Sequence, residues 1–273
     1  MKKIIGLIGI SLTLLIFSIT PLLNIVHEFW IDYKLNERYE IDHAYRDTQG
    51  FNNIVDVQEL TINDMTIQII EEKTNKKAPL TYWDKNENVL PGDIVKIHLL
   101  LNGKEISIPD EIWLSNRNKG SRYYSWLDII TVTDALTGKK QINIVQRLTD
   151  DNHPMEKKEW KLITISQNGV VSEDVLKYFE RSENKLGVKL INFSGTSLMS
   201  LGYYSDITQG YPSLFVPFLY PFFTGIAGFI LLIMSLILFY KRRLKVGHSE
   251  RRISRSKNGE PILFVQLWSL LIF

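Results

Sequence analysis

The chain has 273 residues, 45% of them hydrophobic and 23% charged, and a formal net charge of +2. That composition suffices for a folded core of its own. There is no cysteine, which excludes disulfides, thiol catalysis and thiolate metal sites.

Two long uncharged stretches bracket the chain, residues 4–26 and 213–240. At about 1.5 Å of helix per residue, each is long enough to cross a hydrocarbon core about 30 Å thick. Lys2 and Lys3 precede the first. Lys241, Arg242, Arg243, Lys245, Arg251, Arg252, Arg255 and Lys257 follow the second. Short basic flanks stay cytoplasmic, so both termini are expected inside and the central domain outside. Ten flanking bases of 32 and two flanking acids of 30 leave 22 bases and 28 acids between, a net charge of −6. The near-neutral total hides this split.

The first stretch has the two lysines of a signal peptide but no A-x-A-like cleavage site, and it exceeds a usual apolar h-region. An uncleaved signal anchor is the expectation. The expected order is a cytoplasmic N-terminus (1–3), a first transmembrane helix (4–26), an outer domain (27–210), a second transmembrane helix (213–240) and a basic tail (241–273). Aromatic residues cluster at both ends of the second stretch, as at a headgroup boundary. Pro212, Pro217 and Pro221 place the start of its clean helix near Pro221.

Within 27–47, Ile31, Leu35 and Tyr39 recur at i, i+4, which predicts a juxtamembrane helix over about 28–47. From 54 onward apolar residues alternate with polar ones. Leu60 with Ile62, then Met65, Ile67 and Ile69, read as strands, with Asn63-Asp64 between them as a turn. Residues 71–88 read as loop. A strand is predicted at 94–101, then an Asn102-Gly103 hairpin turn, then a strand at 105–108. Further strands are predicted at 126–133, 141–148 and 160–166. Ser172 is a candidate N-cap of a helix carrying Val175, Leu176 and Phe179, and 188–193 a last strand. This pattern predicts a membrane protein whose two transmembrane helices flank an extracytoplasmic β-rich domain, β-sandwich-like or α+β. Lack of cysteine in a domain outside the cell fits the exterior of a bacterial plasma membrane.

Chemical motifs are sparse. His27, His43, His98, His153 and His248 are scattered, with no H-E-x-x-H, and His98 reads as a hydrogen-bonded strand residue. Gly195-Thr196-Ser197 comes nearest to a nucleophile turn but lacks the second glycine and a following helix, and reads as a juxtamembrane loop. Glu71-Glu72 and Asp150-Asp151 read as solvated carboxylates, with a cation site as the alternative. The candidate ligand-binding residues are Arg117, Lys119, Arg122, Tyr123, Tyr124 and Trp126. Cations interleaved with rings suit a sugar or an anionic polymer. The alternative is a loop whose rings join the core. No cofactor and no metal is expected.

After Gly259 the tail turns apolar, but the stretch from 262 to 273 is too short to span. Partners are expected to be the bilayer and a membrane protein or an envelope polymer, and not nucleic acid. The leading reading is a non-enzymatic membrane-anchored protein whose outer domain binds, senses or scaffolds at the cell envelope. The alternatives are an envelope enzyme or an accessory subunit of a transporter. Gly6, Gly9, Gly225, Ala227 and Gly228 would permit close helix approach for the last of these.

Overall fold

The computed structural model describes residues 2–44, 58–79, 90–114, 122–150, 153–197, 200–205 and 215–257. Two compact units divide the chain, with boundaries between Leu22 and Leu23 and between Pro217 and Phe218. Helix α1 (Lys2–Arg38) opens the chain and contributes to both.

The larger unit is built on two antiparallel sheets. One has the order β1 (Tyr39–His43), β7 (Leu127–Asp134), β8 (Lys140–Arg147), β9 (Glu159–Ser166) and β10 (Val171–Lys177). The other contains β2 (Glu59–Ile62), β3 (Met65–Lys77), β4 (Asp93–Leu101) and β5 (Lys104–Glu105), and β6 (Asp110–Trp113) also pairs with β4. Strand β4 states the rule for its sheet. Val95, Ile97, Leu99 and Leu101 are buried, while Lys96 and His98 between them are less so. A period of two puts alternate side chains on opposite faces. Asn63-Asp64 and Asn102-Gly103 all take positive φ, as the predicted tight turns require.

The sheets face each other across one core. Ile67, Val95 and Leu99 from one pack with Ile129, Ile144 and Ile163 from the other. A fully buried side chain of this size contributes about 1.5–3 kcal/mol. The first sheet also buries its far face. Ile130, Val145 and Trp160 there pack with Ile31 of α1 and with Val188 and Ile191 of α2 (Lys185–Ser194). Coverage on both faces explains why most residues of β8 and β9 are buried, polar Asn143, Gln146 and Arg147 included.

Five expectations for the larger unit are corrected. The helix predicted to reach about residue 47 ends at Arg38, and Tyr39–His43 pairs with β7 instead. Residues 71–77, read as loop, complete β3. The strand expected at 105–108 stops at Glu105, and β6 follows it. The Ser172 helix is strand β10, whose backbone pairs with β9 through seven residues. Only Leu176 of that strand is buried, so side-chain pattern could not reveal it. The last predicted strand is helix α2. Asn184 caps it by accepting from the Gly187 N–H at 2.8 Å, and Gly195 ends it in the left-handed region.

The smaller unit holds two helices long and apolar enough to cross a membrane, the first part of α1 and part of α3 (Phe215–Lys257). Helix α3 starts before Pro221 rather than at it. Pro217 falls in its first turn, where the missing N–H has no helical partner, and Pro221 forgoes one bond. The two helices touch through small residues. A Cβ on Gly228 would lie 3.1 Å from Leu14 Cβ and from the Ser11 carbonyl oxygen. Ser18 Oγ and Thr224 Oγ1 share a hydrogen bond at 2.7 Å. Gly225 also faces Ser18, whereas a Cβ on Gly6 or Gly9 would meet nothing within 4 Å among the described residues. The apolar segment 261–273 lies outside the described residues.

Candidate functional site

Glu28 lies just beyond the apolar part of α1, yet it is only 6% exposed. Its carboxylate accepts three backbone N–H groups. Tyr203 donates to Oε2 at 2.6 Å, and Tyr204 and Ser205 donate to Oε1 at 2.8 and 3.0 Å. Such charge-assisted bonds are roughly twice as strong as neutral ones. Gly202 makes the arrangement possible. A Cβ there would lie 1.8 Å from the Ser205 carbonyl oxygen and 3.3 Å from Glu28 Oε2. Only glycine lets the chain fold its N–H groups onto the carboxylate.

Four residues further, on the same helix face, Asp32 extends the clamp. It accepts from Lys189 Nζ of α2 at 2.6 Å and from the Tyr203 hydroxyl at 2.9 Å. Burial, with the Asp32 carboxylate beside it, pushes the Tyr203 phenol up, so the hydroxyl stays a donor. The end of α1, helix α2 and the 200–205 segment thereby form one polar network.

An open cleft of about 370 Å³ adjoins this clamp, lined by Tyr178, Phe179, Arg181, Tyr203 and Tyr204 together with Glu156 and Ser182. The Arg181 guanidinium sits 4.0 Å from the centroid of Tyr178 and donates to the carbonyls of Gly202 and Tyr178. Tyr204 stacks on His27 at 4.8 Å, and Lys185 Nζ lies 5.2 Å from its centroid. Phe179 is 72% exposed. Rings beside cations are therefore gathered here, the chemistry that suits polar, ring-shaped or anionic ligands.

The residues singled out from sequence have separate fates. Arg117 and Lys119 lie outside the described residues. Arg122 donates from Nε and Nη2 to the two oxygens of Glu71, and the Tyr123 hydroxyl donates to Glu71 Oε1 at 2.7 Å. Arg122 holds the Glu71 carboxyl below its usual range, against the opposing effect of burial. Burial pushes the Tyr123 phenol up, and Glu71 beside it adds to this. Tyr123 and Trp126 are core residues, and Arg147 packs 4.1 Å from the Trp126 ring centroid. Tyr124 alone of the three rings faces solvent.

Three histidines pair with carboxylates. His43 Nδ1 lies 2.8 Å from Asp128 Oδ2, and its ring stacks on Phe193. Burial raises the Asp128 carboxyl, against the opposing pull of His43. His98 stands between Glu105 and Glu72 on the solvent side of β4, at 2.8 and 3.1 Å. His153 meets Asp150 at 2.8 Å. Glu71 and Glu72 point to opposite faces of β3, towards Arg122 and His98, so they do not act as a pair. Among the described residues, no three His, Asp or Glu side chains converge as a metal site. Gly195 and Thr196 form the end of α2, with Thr196 fully buried.

Sequence reasoning missed the clamp. Its signal was available as Glu28 and Asp32 at i, i+4, on the helix face opposite exposed Trp30 and Tyr33. Comparison with known protein families, with curated proteins and with solved structures found no match.

Proposed function

We propose that this is a non-enzymatic membrane-anchored protein whose outer domain, between two transmembrane helices with cytoplasmic ends, binds or scaffolds at the cell envelope. The observation that carries the reading is the Glu28 clamp. It ties residue 28, just after the first apolar stretch, to residues 203–205, shortly before the second. Residue 28 and residues 203–205 are thus held together. A domain closed on itself in this way presents a preformed surface, which suits docking. The aromatic and basic cleft next to the clamp is the surface we assign to the partner, an envelope polymer or another membrane protein. Tyr124 is a second exposed ring on the same domain.

The test has two arms. Single cysteines at Thr137 and at Ser249 meet no background thiol. The first should react with an impermeant maleimide on intact cells and the second should not. A photo-crosslinking residue at Phe179 should then capture one defined envelope component, and one at Leu136 should not. Labelling at Ser249 alone overturns the orientation. Identical, diffuse products from both crosslinking positions overturn the docking role.

An accessory subunit of a membrane assembly is the second reading. It is favoured by Gly6 and Gly9, where an added Cβ would meet no described residue within 4 Å.

A further inference from the structure

Around the clamp, helix α1 turns a second face outward. Val26, Phe29, Trp30 and Tyr33 follow one another at i, i+3, i+4 and i+7, which sets them along one side of the helix. All four are exposed, Trp30 by 57% and Tyr33 by 61%. Trp113, Trp126 and Trp160 are wholly or partly buried, so Trp30 is the one exposed indole among the described residues. The other side of the same two turns belongs to the domain. Ile31 and Leu35 pack with the first sheet and α2, and Glu28 holds residues 203–205. Contacts on that side thus fix the helix with its ring-bearing face turned away from the core.

Position along the helix says what this face meets. Leu23 and Val26, in the last turn of the apolar stretch, are exposed on the same side. The roughly 30 residues from Ile4 to Tyr33 extend about 45 Å as helix, and a bilayer with both headgroup layers measures about 40–45 Å. With Lys2 and Lys3 at the inner surface, Trp30 and Tyr33 come to the outer headgroup layer. The next turn changes character. Lys34 and Glu37 form an exposed ion pair at 2.6 Å, and Arg38 meets Asp134 at 3.1 Å. Aliphatic, aromatic and charged residues thus succeed one another along this face, in the order hydrocarbon, headgroup, water. Cations stand beside the rings. Lys34 Nζ lies 5.6 Å from the Tyr33 centroid, and Lys185 Nζ lies 5.2 Å from that of Tyr204, which stacks on His27. Such cations at headgroup level suit lipid phosphates.

We infer that the Phe29, Trp30 and Tyr33 face lies in the phospholipid headgroup layer of the outer leaflet and so holds the outer domain against the lipid surface. Indole and phenol rings have an apolar body and a polar tip, and that layer accommodates both. In water, a row of this kind leaves apolar area uncovered. A partner helix is a poorer occupant. Helix packing in lipid favours small residues, and none stands in this row. The inference rests on the membrane-anchored reading. It adds a lipid contact made by the outer domain itself, apart from the cleft at Phe179.

The experiment uses the full-length protein, which has no cysteine of its own, in vesicles of phosphatidylcholine and phosphatidylglycerol. Leu12→Cys, Trp30→Cys, Tyr33→Cys and Thr137→Cys, each made singly, carry a nitroxide label. Power-saturation spin resonance reads two collision rates at each label. Oxygen concentrates in hydrocarbon, and a neutral nickel chelate stays in water. The label at position 12 should be rich in oxygen collisions and that at 137 in nickel collisions. Labels at 30 and 33 should fall between them, mobile, with nickel collisions severalfold rarer than at 137. The native ring is followed separately. Wild type minus Trp30→Phe isolates the Trp30 fluorescence, which lipid brominated close to the headgroup should quench. Nickel collisions at 30 and 33 as frequent as at 137 put the face in water and overturn the inference. Immobile labels shielded from both reagents mean that protein covers the face, and overturn it equally. An unquenched Trp30 does so too. In each of these cases a lipid-exposed label at 12 leaves the anchored reading standing. A label at 12 in water removes that reading, and the inference with it.

Discussion

Arg122 and Glu71 meet through two parallel N–H···O bonds, at 2.6 and 2.7 Å, on a carboxylate that also accepts the hydroxyl of fully buried Tyr123. The basic residue most suggestive of an exposed binding patch is thereby tied to a strand of the core. Its bidentate geometry fixes the turn before β7, and Ser125 at positive φ then swings Trp126 inwards. Glu71→Gln removes the charge and turns one acceptor into a donor facing Arg122. It should cost about 1–3 kcal/mol, measured by denaturant unfolding of the full-length protein. An unchanged midpoint would mean that Arg122 is free to serve a ligand.

Two groups give opposite pH signatures. Glu71 is held below its ordinary value of 4.5 by Arg122. Its contribution is present above that value and is lost as pH falls through the lower, folded-state value. His98 is raised above 6.5 by Glu105 and then Glu72. Its contribution is complete below 6.5 and is lost as pH rises through the raised value. The stability difference between wild type and His98→Ala should therefore shrink between weakly acid and alkaline pH. The difference for Glu71→Gln should instead shrink only on strong acidification. Since His98 lies on the solvent side, its effect should be small and salt-sensitive. Parallel pH profiles of the two variants would contradict both assignments.

Glu28→Ala leaves three backbone N–H groups without their carboxylate. The amides of Tyr203, Tyr204 and Ser205 should then exchange with deuterium at least ten-fold faster, while β4 amides change little. A loss of about 2–4 kcal/mol in global stability is expected if all three donors stay dry. Slow exchange in the variant would mean that other groups hold the segment. Gly202→Ala should produce the same local signature by a different route, since its Cβ cannot be accommodated beside the Ser205 carbonyl.

The smaller unit predicts a crosslink. Cysteines at Ser18 and Thr224, whose oxygens lie 2.7 Å apart, should form a disulfide under mild oxidation in membranes. Adding Gly228→Val, which thrusts a branched side chain against Leu14 and Ser11, should reduce its yield severalfold. Equal yields would mean that the helices do not pack through Gly228.

A fragment covering residues 27–210 should remain soluble and unfold cooperatively, because both apolar clusters, whose members run from Ile31 to Tyr203, lie within it. Its circular dichroism should be dominated by strand. A non-cooperative transition would show that the core needs the helices of the smaller unit.

Sequence alone determined the features that depend on local period and length. The two apolar helices, the alternation in β2, β3 and β4, and the Asn102-Gly103 turn were legible because each is written in consecutive residues. So was the β-rich character of the domain, although its sequence left a β-sandwich-like and an α+β arrangement open. The tertiary structure decided what depends on partners distant in the chain. Tyr39–His43 and Val171–Lys177 become edge strands because β7 and β9 offer them backbone hydrogen bonds, a preference that no side-chain pattern encodes. The segment 188–193 carries Val188, Ile191 and Phe193, residue types that favour strands, yet its cap and its burial against the sheet make it helical. Glu28 reads as one more charged residue on a juxtamembrane helix until the chain returns 175 residues later with three N–H groups to meet it. Arg122 and Glu71 are likewise 51 residues apart, so the pairing that draws a basic patch into the fold exists only once the sheets have formed.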